Sequence, residues 1–266
     1  MLPSHPSLAK IPEIDILQNC LLIAQEIQQN LLPQKPPVIP GLDISGASIY
    51  SCMLGGDFFD YMDFEEVCCR TPDHVGIVVG DVSGHGIYAA LLMSTIRAYI
   101  RCRSTQPGDI GQILNSVNGM ICKDTGVGGH FITLFYMDVN PGKKEIRWVR
   151  AGHEAALYFE AESRLFRELK GEGSALGVTM DMGYEQQRLA GLKTDDIVLI
   201  GTDGAWEVRS PEGEMFGKDH IKSIVQQNAG RCASDILQEI VAALTAFQQS
   251  SIPADDVTLV VVKFTE

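Results

Sequence analysis

The chain is short of basic charge and has no long apolar run, and each shortage removes a class of function. Its 21 lysines and arginines face 34 aspartates and glutamates, for a formal net charge of −13. The bases are scattered, with small groups only at Arg97, Arg101 and Arg103 and at Lys143-Lys144. Gripping a phosphate backbone takes a basic stripe, so no nucleic-acid partner is expected. No window approaches the ~20 apolar residues that a helix needs to cross a bilayer. The N-terminal segment carries prolines and has no apolar stretch behind a basic start, unlike a secretory leader. No membrane association is expected.

Cysteine chemistry is thin as well. The seven cysteines are odd in number, form no Cys-x-x-Cys and are spread over 266 residues, which is no disulfide framework. Cys68 and Cys69 are adjacent, a poor geometry for a structural bridge. Reduced thiols and a cytoplasmic location are expected. Several site motifs are missing too. Gly171-Glu172-Gly173-Ser174-Ala175-Leu176-Gly177 is off the dinucleotide spacing by one residue, and Gly213 to Gly217-Lys218 is one residue short of a P-loop. Ser83 is not framed as Gly-x-Ser-x-Gly, so a nucleophile elbow has no support. There is no His-Glu-x-x-His. Of the six histidines, only His85 and His153 sit in glycine turns; both read as turn-stabilising or phosphate-proximal. His5, His74, His130 and His220 read as unremarkable.

Apolar residues make up 45% of the chain, enough for a sizeable core and too many for a disordered segment. Residues 13–32 read as a helix, with Ile14, Leu17, Leu21, Leu22, Ala24, Ile27, Leu31 and Leu32 at helical spacing and Pro33 as the stop. Its apolar side is broad enough for a partner helix as well as for the body of the domain, and covering a sheet edge is the equal alternative. A proline-rich stretch, 33–40, follows. Strands are expected at 42–50, 56–64, 74–82, 131–138, 144–151, 155–160, 184–190, 196–202 and 256–264, and helices at 86–103, 109–123, 217–227 and 233–248. Strand clusters interrupted by paired helices indicate an α+β layered domain with mostly antiparallel sheets. The expected division is an N-terminal extension, 1–40, and one domain, 41–266.

Four aspartates in small-residue turns stand out against this frame. They are Asp57 in Gly55-Gly56-Asp57-Phe58-Phe59-Asp60, Asp81 in Gly80-Asp81-Val82-Ser83-Gly84-His85-Gly86, Asp203 in Gly201-Thr202-Asp203-Gly204, and Asp255 in Ala254-Asp255-Asp256-Val257-Thr258. Each alone fits an ordinary turn or strand cap. Together, at the ends of buried strands and with few bases nearby, they would repel one another unless cations lay between them. Hard divalent cations prefer such oxygen ligands, and a two-metal centre serves in-line displacement at phosphorus.

Taken in order, these turns, with Gln25-Glu26-Ile27-Gln28-Gln29-Asn30-Leu31-Leu32-Pro33 before them and Arg150-Ala151-Gly152-His153 between, resemble the metal-dependent serine/threonine protein phosphatases of type 2C, in their bacterial sporulation and sigma-factor-regulator branch. The likeness runs from about residue 24 to 264. It implies a β-sandwich of two antiparallel sheets flanked by helices, a four-layer αββα arrangement with a metal cleft at one edge. It implies two Mn²⁺ or Mg²⁺ ions, bridged by Asp81, with an oxygen from the Val82 carbonyl, Asp203 and Asp255 on the first ion and Asp57 on the second. Asp81 and Asp203 would be catalytic through the water those ions activate. Ser83, His85, His153 and Gly204 would lie near the phosphate or the substrate.

The implied activity is removal of phosphate from serine or threonine of a regulatory protein, an anti-sigma-factor antagonist. Two other readings stay open: a phosphatase-like interaction module with little turnover, and a divalent-metal hydrolase of small phosphoesters. Two departures bear on this. Ser83 stands where the wider family has a candidate proton-donor histidine, so the donor is unassigned. Glu154-Ala155 replaces the Asn-Pro that often follows the Ala-Gly-His turn, placing a carboxylate where substrate or the second ion would approach. The phosphate-gripping arginine of the larger family has no counterpart. By the same likeness, helix 13–32 would pair in a homodimer or receive a separate activator.

Overall fold

The computed structural model describes residues 13–63, 74–126 and 129–266. The adjacent pair Cys68-Cys69, His5 and the end of the strand expected at 56–64 lie outside the described residues. The described elements run α1 (Glu13–Leu31), β1 (Leu42–Ile49), β2 (Phe58–Asp63), β3 (Val75–Val82), α2 (Ile87–Ser104), α3 (Ile110–Thr125), β4 (Ile132–Asn140), β5 (Glu145–Ala151), β6 (Ala156–Glu160), β7 (Leu165–Leu169), β8 (Gln187–Ala190), β9 (Ile197–Gly201), α4 (Gly217–Asn228), α5 (Ala233–Gln248) and β10 (Val257–Phe264).

The strands form two five-stranded sheets, ordered β1-β10-β9-β6-β7 and β2-β3-β4-β5-β8. Every pairing between named strands is antiparallel. Alternation along each central strand decides the layering, because successive side chains leave opposite faces. In β4, Ile132, Leu134 and Tyr136 enter the core beneath α2 and α3, while Phe135, Met137 and Val139 enter the core between the sheets. In β10, Val260, Val262 and Phe264 face that same inter-sheet core, and Val257, Leu259 and Val261 face α4 and α5. Strands with an apolar layer on both sides read as continuous apolar runs. The result is an αββα sandwich, the four-layer arrangement that the resemblance implies.

Local signals explain several boundaries. Asp109 caps α3 through its side chain, accepting from Gln112 N at 2.8 Å, while the Gln112 side chain returns to Asp109 N, the reciprocal arrangement of a capping box. Strand β2 starts at Phe58, not at 56, because Gly55-Gly56-Asp57 belongs to the site loop. Strand β7 had no expectation attached to it. It is a largely exposed edge strand, Leu-Phe-Arg-Glu-Leu, paired among the described residues only to β6, and its charged positions hide its period.

Helix α1 ends where Pro33 requires, but its apolar side does not cover a sheet edge. Ile16, Leu17, Leu22, Ile23 and Ile27 are each at least 50% exposed, while Gln28 and Leu32 are buried. Among the described residues, burial of the helix against the domain starts at Leu21 and is greatest at its C-terminal end. No helix among the described residues is long and apolar enough to cross a membrane.

Candidate metal centre

All four aspartates lie at one end of the sandwich, where strands of both sheets begin or stop. Asp57 precedes β2, Asp81 is the penultimate residue of β3, Asp203 follows β9, and Asp255 precedes β10. The first two come from one sheet and the last two from the other, so closing the sandwich is what assembles the group.

Asp57 is clamped across the sheets. Thr202 Oγ1 donates to its Oδ2 at 2.7 Å, and Thr258 N donates to Thr202 Oγ1 at 3.0 Å. Thr258 Oγ1 is in turn 2.8 Å from Ser48 Oγ. Tyr50 donates its hydroxyl to the Asp57 carbonyl at 3.2 Å. Asp256 organises the loop before Asp57: its Oδ1 accepts from Ser51 N at 2.8 Å and Ser51 Oγ at 2.9 Å, and its Oδ2 from Gly56 N at 2.9 Å. The second acid of the Asp255-Asp256 doublet is therefore buried scaffolding, and the first is exposed.

Two glycines are required by close approach. A Cβ on Gly204 would lie 2.0 Å from the Asp256 carbonyl oxygen, and one on Gly56 would lie 2.7 Å from the Val82 carbonyl oxygen. Neither space tolerates a side chain. Gly56 thus brings the Asp57 loop against the backbone of the Asp81 turn.

The electrostatics show that the acids share one field. Burial, and then the charge of Asp81, raises the Asp57 carboxyl well above the usual range, against hydrogen bonds from Thr202 and Thr258. Asp81 is pushed up to about 7 by burial and by Asp203, Asp255 and Asp256, with a hydrogen bond to Asp57 opposing. Burial, then Asp255, Glu207 and Glu154, raises Asp203. Among the described residues, no lysine or arginine pairs with any of the four. Nor do three of them close into a ready-made ligand cage. What the structure holds is a concentration of negative charge without a counter-charge, and divalent cations suit that donor chemistry.

The other candidates separate. Ser83 is occupied in the turn, with its Oγ accepting from Phe131 N at 3.0 Å and its own N donating to Phe131 O at 2.9 Å. His85 is exposed on the same turn. His153 is buried, with Nδ1 2.8 Å from Thr133 Oγ1. Burial above all lowers its pKa to about 4, so the ring is neutral at pH 7. Its Nε2 has no partner of full hydrogen-bond geometry among the described residues, and the Gly201 backbone acts on the ring in the direction that raises its pKa.

Sequence reasoning passed over three contributors. Thr202 and Thr258 are hydroxyls placed beside the motif acids, and that adjacency was their available signal. Lys218 had none: it meets Glu154 at 2.6 Å from 64 residues away. Beside that ion pair opens a cavity of about 850 Å³, with Arg150, His153, Glu154, Lys170 and Lys218 in its walls.

The relatives of this chain share both pattern and shape. It is 28% identical over 241 residues to phosphoserine phosphatase RsbU of Bacillus subtilis (strain 168), an alignment covering 91% of this chain and 69% of that protein. The structure superposes on the SiaA-PP2C domain of Pseudomonas aeruginosa with a TM-score of 0.81 at 20% identity, covering 95% of this chain and 99% of that one. It also matches RsbX in complex with magnesium, with a TM-score of 0.61 at 14% identity over 87% of this chain and 99% of that one. The likeness to the last two establishes a type 2C phosphatase fold. The family pattern of Stage II sporulation protein E (SpoIIE) matches residues 71–265, and the chain belongs to that family.

Proposed function

We propose that this protein is a metal-dependent phosphatase that hydrolyses phosphoserine or phosphothreonine on a regulatory protein, of the anti-sigma-factor-antagonist type. The observation that carries the reading is the uncompensated acid cluster drawn from both sheets. Asp57, Asp81, Asp203 and Asp255, with the Val82 carbonyl, would hold two Mn²⁺ or Mg²⁺ ions. Such ions, when bound, acidify water toward neutral pH and offset the charge of a phosphoryl group.

The chain's own residues supply placement. Asp81 feels Asp203, Asp255 and Asp256 at once, the position from which one carboxylate serves both sides of the cluster. Thr202, Thr258 and Ser48 fix Asp57 on the opposite sheet, so its carboxylate needs no reorientation when a cation arrives. Asp256 holds the intervening loop. Residues 41–266 form the catalytic domain in this reading, and 1–40 the extension. Five free cysteines among the described residues accord with a cytoplasmic location.

Glu154 gives no special support to a non-catalytic module, because Lys218 answers its charge. The test is phosphate release in Mn²⁺ from a phosphoserine protein, compared with p-nitrophenyl phosphate and nucleotides. The expected outcome is metal-dependent release with the phosphoprotein preferred. Preference for nucleotides, or equal release after chelation, overturns it.

Helix α1 pairs with a second copy in the same reading. Its exposed Ile16, Cys20, Ile23 and Ile27 follow a 4-3-4 spacing, the seam of a two-stranded coil. The buried end touches the site loop, since Gln28 Nε2 donates to Gly55 O at 2.7 Å and Gly55 N donates to Gln28 Oε1 at 3.2 Å. Helix pairing would therefore be felt two residues from Asp57. Sedimentation at tens of micromolar is expected to show a dimer that Ile23→Glu converts to monomer. A wild-type monomer at that concentration removes the proposal.

A further inference from the structure

Lys218 is the second residue of α4 and lies in the wall of the 850 Å³ cavity, its side chain 24% exposed. Among the described residues its ammonium has side-chain partners only: Glu154 at 2.6 Å and Glu168 at 3.9 Å, with the Trp206 ring centroid at 5.0 Å. Trp206 closes the short 3-10 turn that starts at Asp203, donating its N to the Asp203 carbonyl at 3.0 Å. The pair is thus attached to the acid cluster through the backbone. It also acts on the site by charge: Glu154 contributes to the raised pKa of Asp203, and Lys218 to the lowered pKa of His153.

The other bases in the cavity wall are differently placed. Arg150 is held by backbone, donating Nε to Gly171 O and Nη1 to His153 O, both at 2.7 Å. Releasing it would orphan two carbonyl oxygens and the loop they belong to. Lys170 is 78% exposed and pairs loosely with Glu168 at 3.5 Å. Lys218 alone is both fixed in direction, by the indole beneath it, and free to exchange one carboxylate for another anion. An anionic substrate approaching five aspartates and a wall that also carries Glu154, Glu168, Glu172 and Glu185 needs such a cation.

Resting on the phosphatase reading, we propose that Lys218 is a specificity-determining residue: it leaves Glu154 to pair with an anionic group of the phosphorylated segment seated in the cavity, either the phosphoryl group or a carboxylate beside it. Glu154 is the internal competitor for the same ammonium. The two residues therefore have opposite effects on substrate binding, although both belong to one ion pair.

The experiment uses the full chain in Mn²⁺ and labelled peptides that carry the non-hydrolysable phosphonate analogue of phosphoserine, flanked by glutamate or by alanine. An unphosphorylated glutamate peptide is the third probe. Lys218→Met is expected to weaken binding about tenfold, which is about 1.4 kcal/mol, and Lys218→Arg to retain most of it. Glu154→Gln is expected to tighten binding, a gain that a damaged fold does not produce. Loss confined to glutamate-flanked peptides assigns the contact to the neighbouring carboxylate; equal loss on both assigns it to the phosphoryl group. Wild-type binding by Lys218→Met, or weaker binding by Glu154→Gln, overturns the proposal. Turnover of the phosphoserine peptides, measured alongside, separates the two readings. Turnover without dependence on Lys218 sinks this proposal alone, Lys218-dependent binding without turnover sinks the phosphatase reading alone, and absence of both sinks both.

Discussion

Asp81→Asn is expected to abolish metal-dependent phosphate release while making the chelated protein more stable. The two effects have one cause. Asp81 feels burial and three other carboxylates, which push its pKa up to about 7, so its charged form is unfavourable in the folded, metal-free chain. The unfolded carboxyl titrates near its ordinary value of 3.8. The folded state thus binds more protons between about pH 4 and 7, and stability falls as pH rises through that window. An asparagine carries no such charge. The chelated variant is therefore expected to melt several degrees above wild type at pH 7.5, since ~1 kcal/mol moves a domain of this size by about 2–4 °C, and to show a shallower decline from pH 4 to 7.

Adding Mn²⁺ reverses the order. A cation that binds only the folded state stabilises it more the tighter it binds, as the logarithm of its concentration over Kd, and the variant lacks the carboxylate at the centre of the cluster. Partners one shell removed from a metal cost about 10–100-fold when lost, so removal of a direct ligand is expected to cost more than ~100-fold in turnover. Calorimetric melting with EDTA and with Mn²⁺, beside phosphate release, checks both halves. A chelated variant that melts below wild type at pH 7.5 contradicts the electrostatic account. Retained metal-dependent turnover contradicts the assignment of Asp81.

The same cluster shows what was legible in the chain and what was not. Strands such as Val75–Val82 announced themselves because both their faces are buried, leaving an uninterrupted apolar run. The turns at their ends were visible because glycine and aspartate concentrate where backbone must approach closely. Residues whose role depends on a distant partner left no such trace. Asp256 has no role that the sequence assigns to it, and its part as scaffolding shows only when Ser51 and Gly56 are seen donating to it. Glu154 looks like a damaging departure until Lys218 arrives from α4. Helix α1 was legible as a helix, but its periodicity could not say that residues 16–20 would stand exposed while burial begins at Leu21 and is complete only at Gln28. Strand β7 was lost because an exposed edge has no apolar alternation to read. Local pattern reveals elements and turns; cross-chain charge pairing appears only in the fold.

Asp60→Ala is expected to be the most destabilising single change near the site, costing about 3–5 kcal/mol as a broken buried ion pair. Asp60 is 1% exposed and lies on the β2 face that also carries Phe58 and Met62, a position its neighbours' alternation would fill with an apolar residue. It is tolerated because α2 presents two bases one turn apart. Arg101 Nη1 donates to both carboxylate oxygens at 2.9 Å, and Arg97 Nε lies 2.9 Å from Oδ2. The side chain of Arg97 is only 14% exposed, and burial lowers its pKa against the pull of Asp60. Removing the acid strands that guanidinium, whereas Arg101, 48% exposed, can turn to water. Arg101→Met is therefore expected to cost less than Arg97→Met. The loss should also reach the metal centre: Asp60 stands three residues after Asp57, and the α2 it anchors begins six residues after Asp81. A drop of about 10 °C in melting temperature, with weaker Mn²⁺ binding in calorimetry, is the expected result. The double change Asp60→Leu with Arg97→Leu distinguishes a stranded charge from lost packing. Replacing both partners by apolar groups removes the uncompensated guanidinium, so much of the stability should return; if the double variant is as unstable as Asp60→Ala, the ion pair is not what joins β2 to α2.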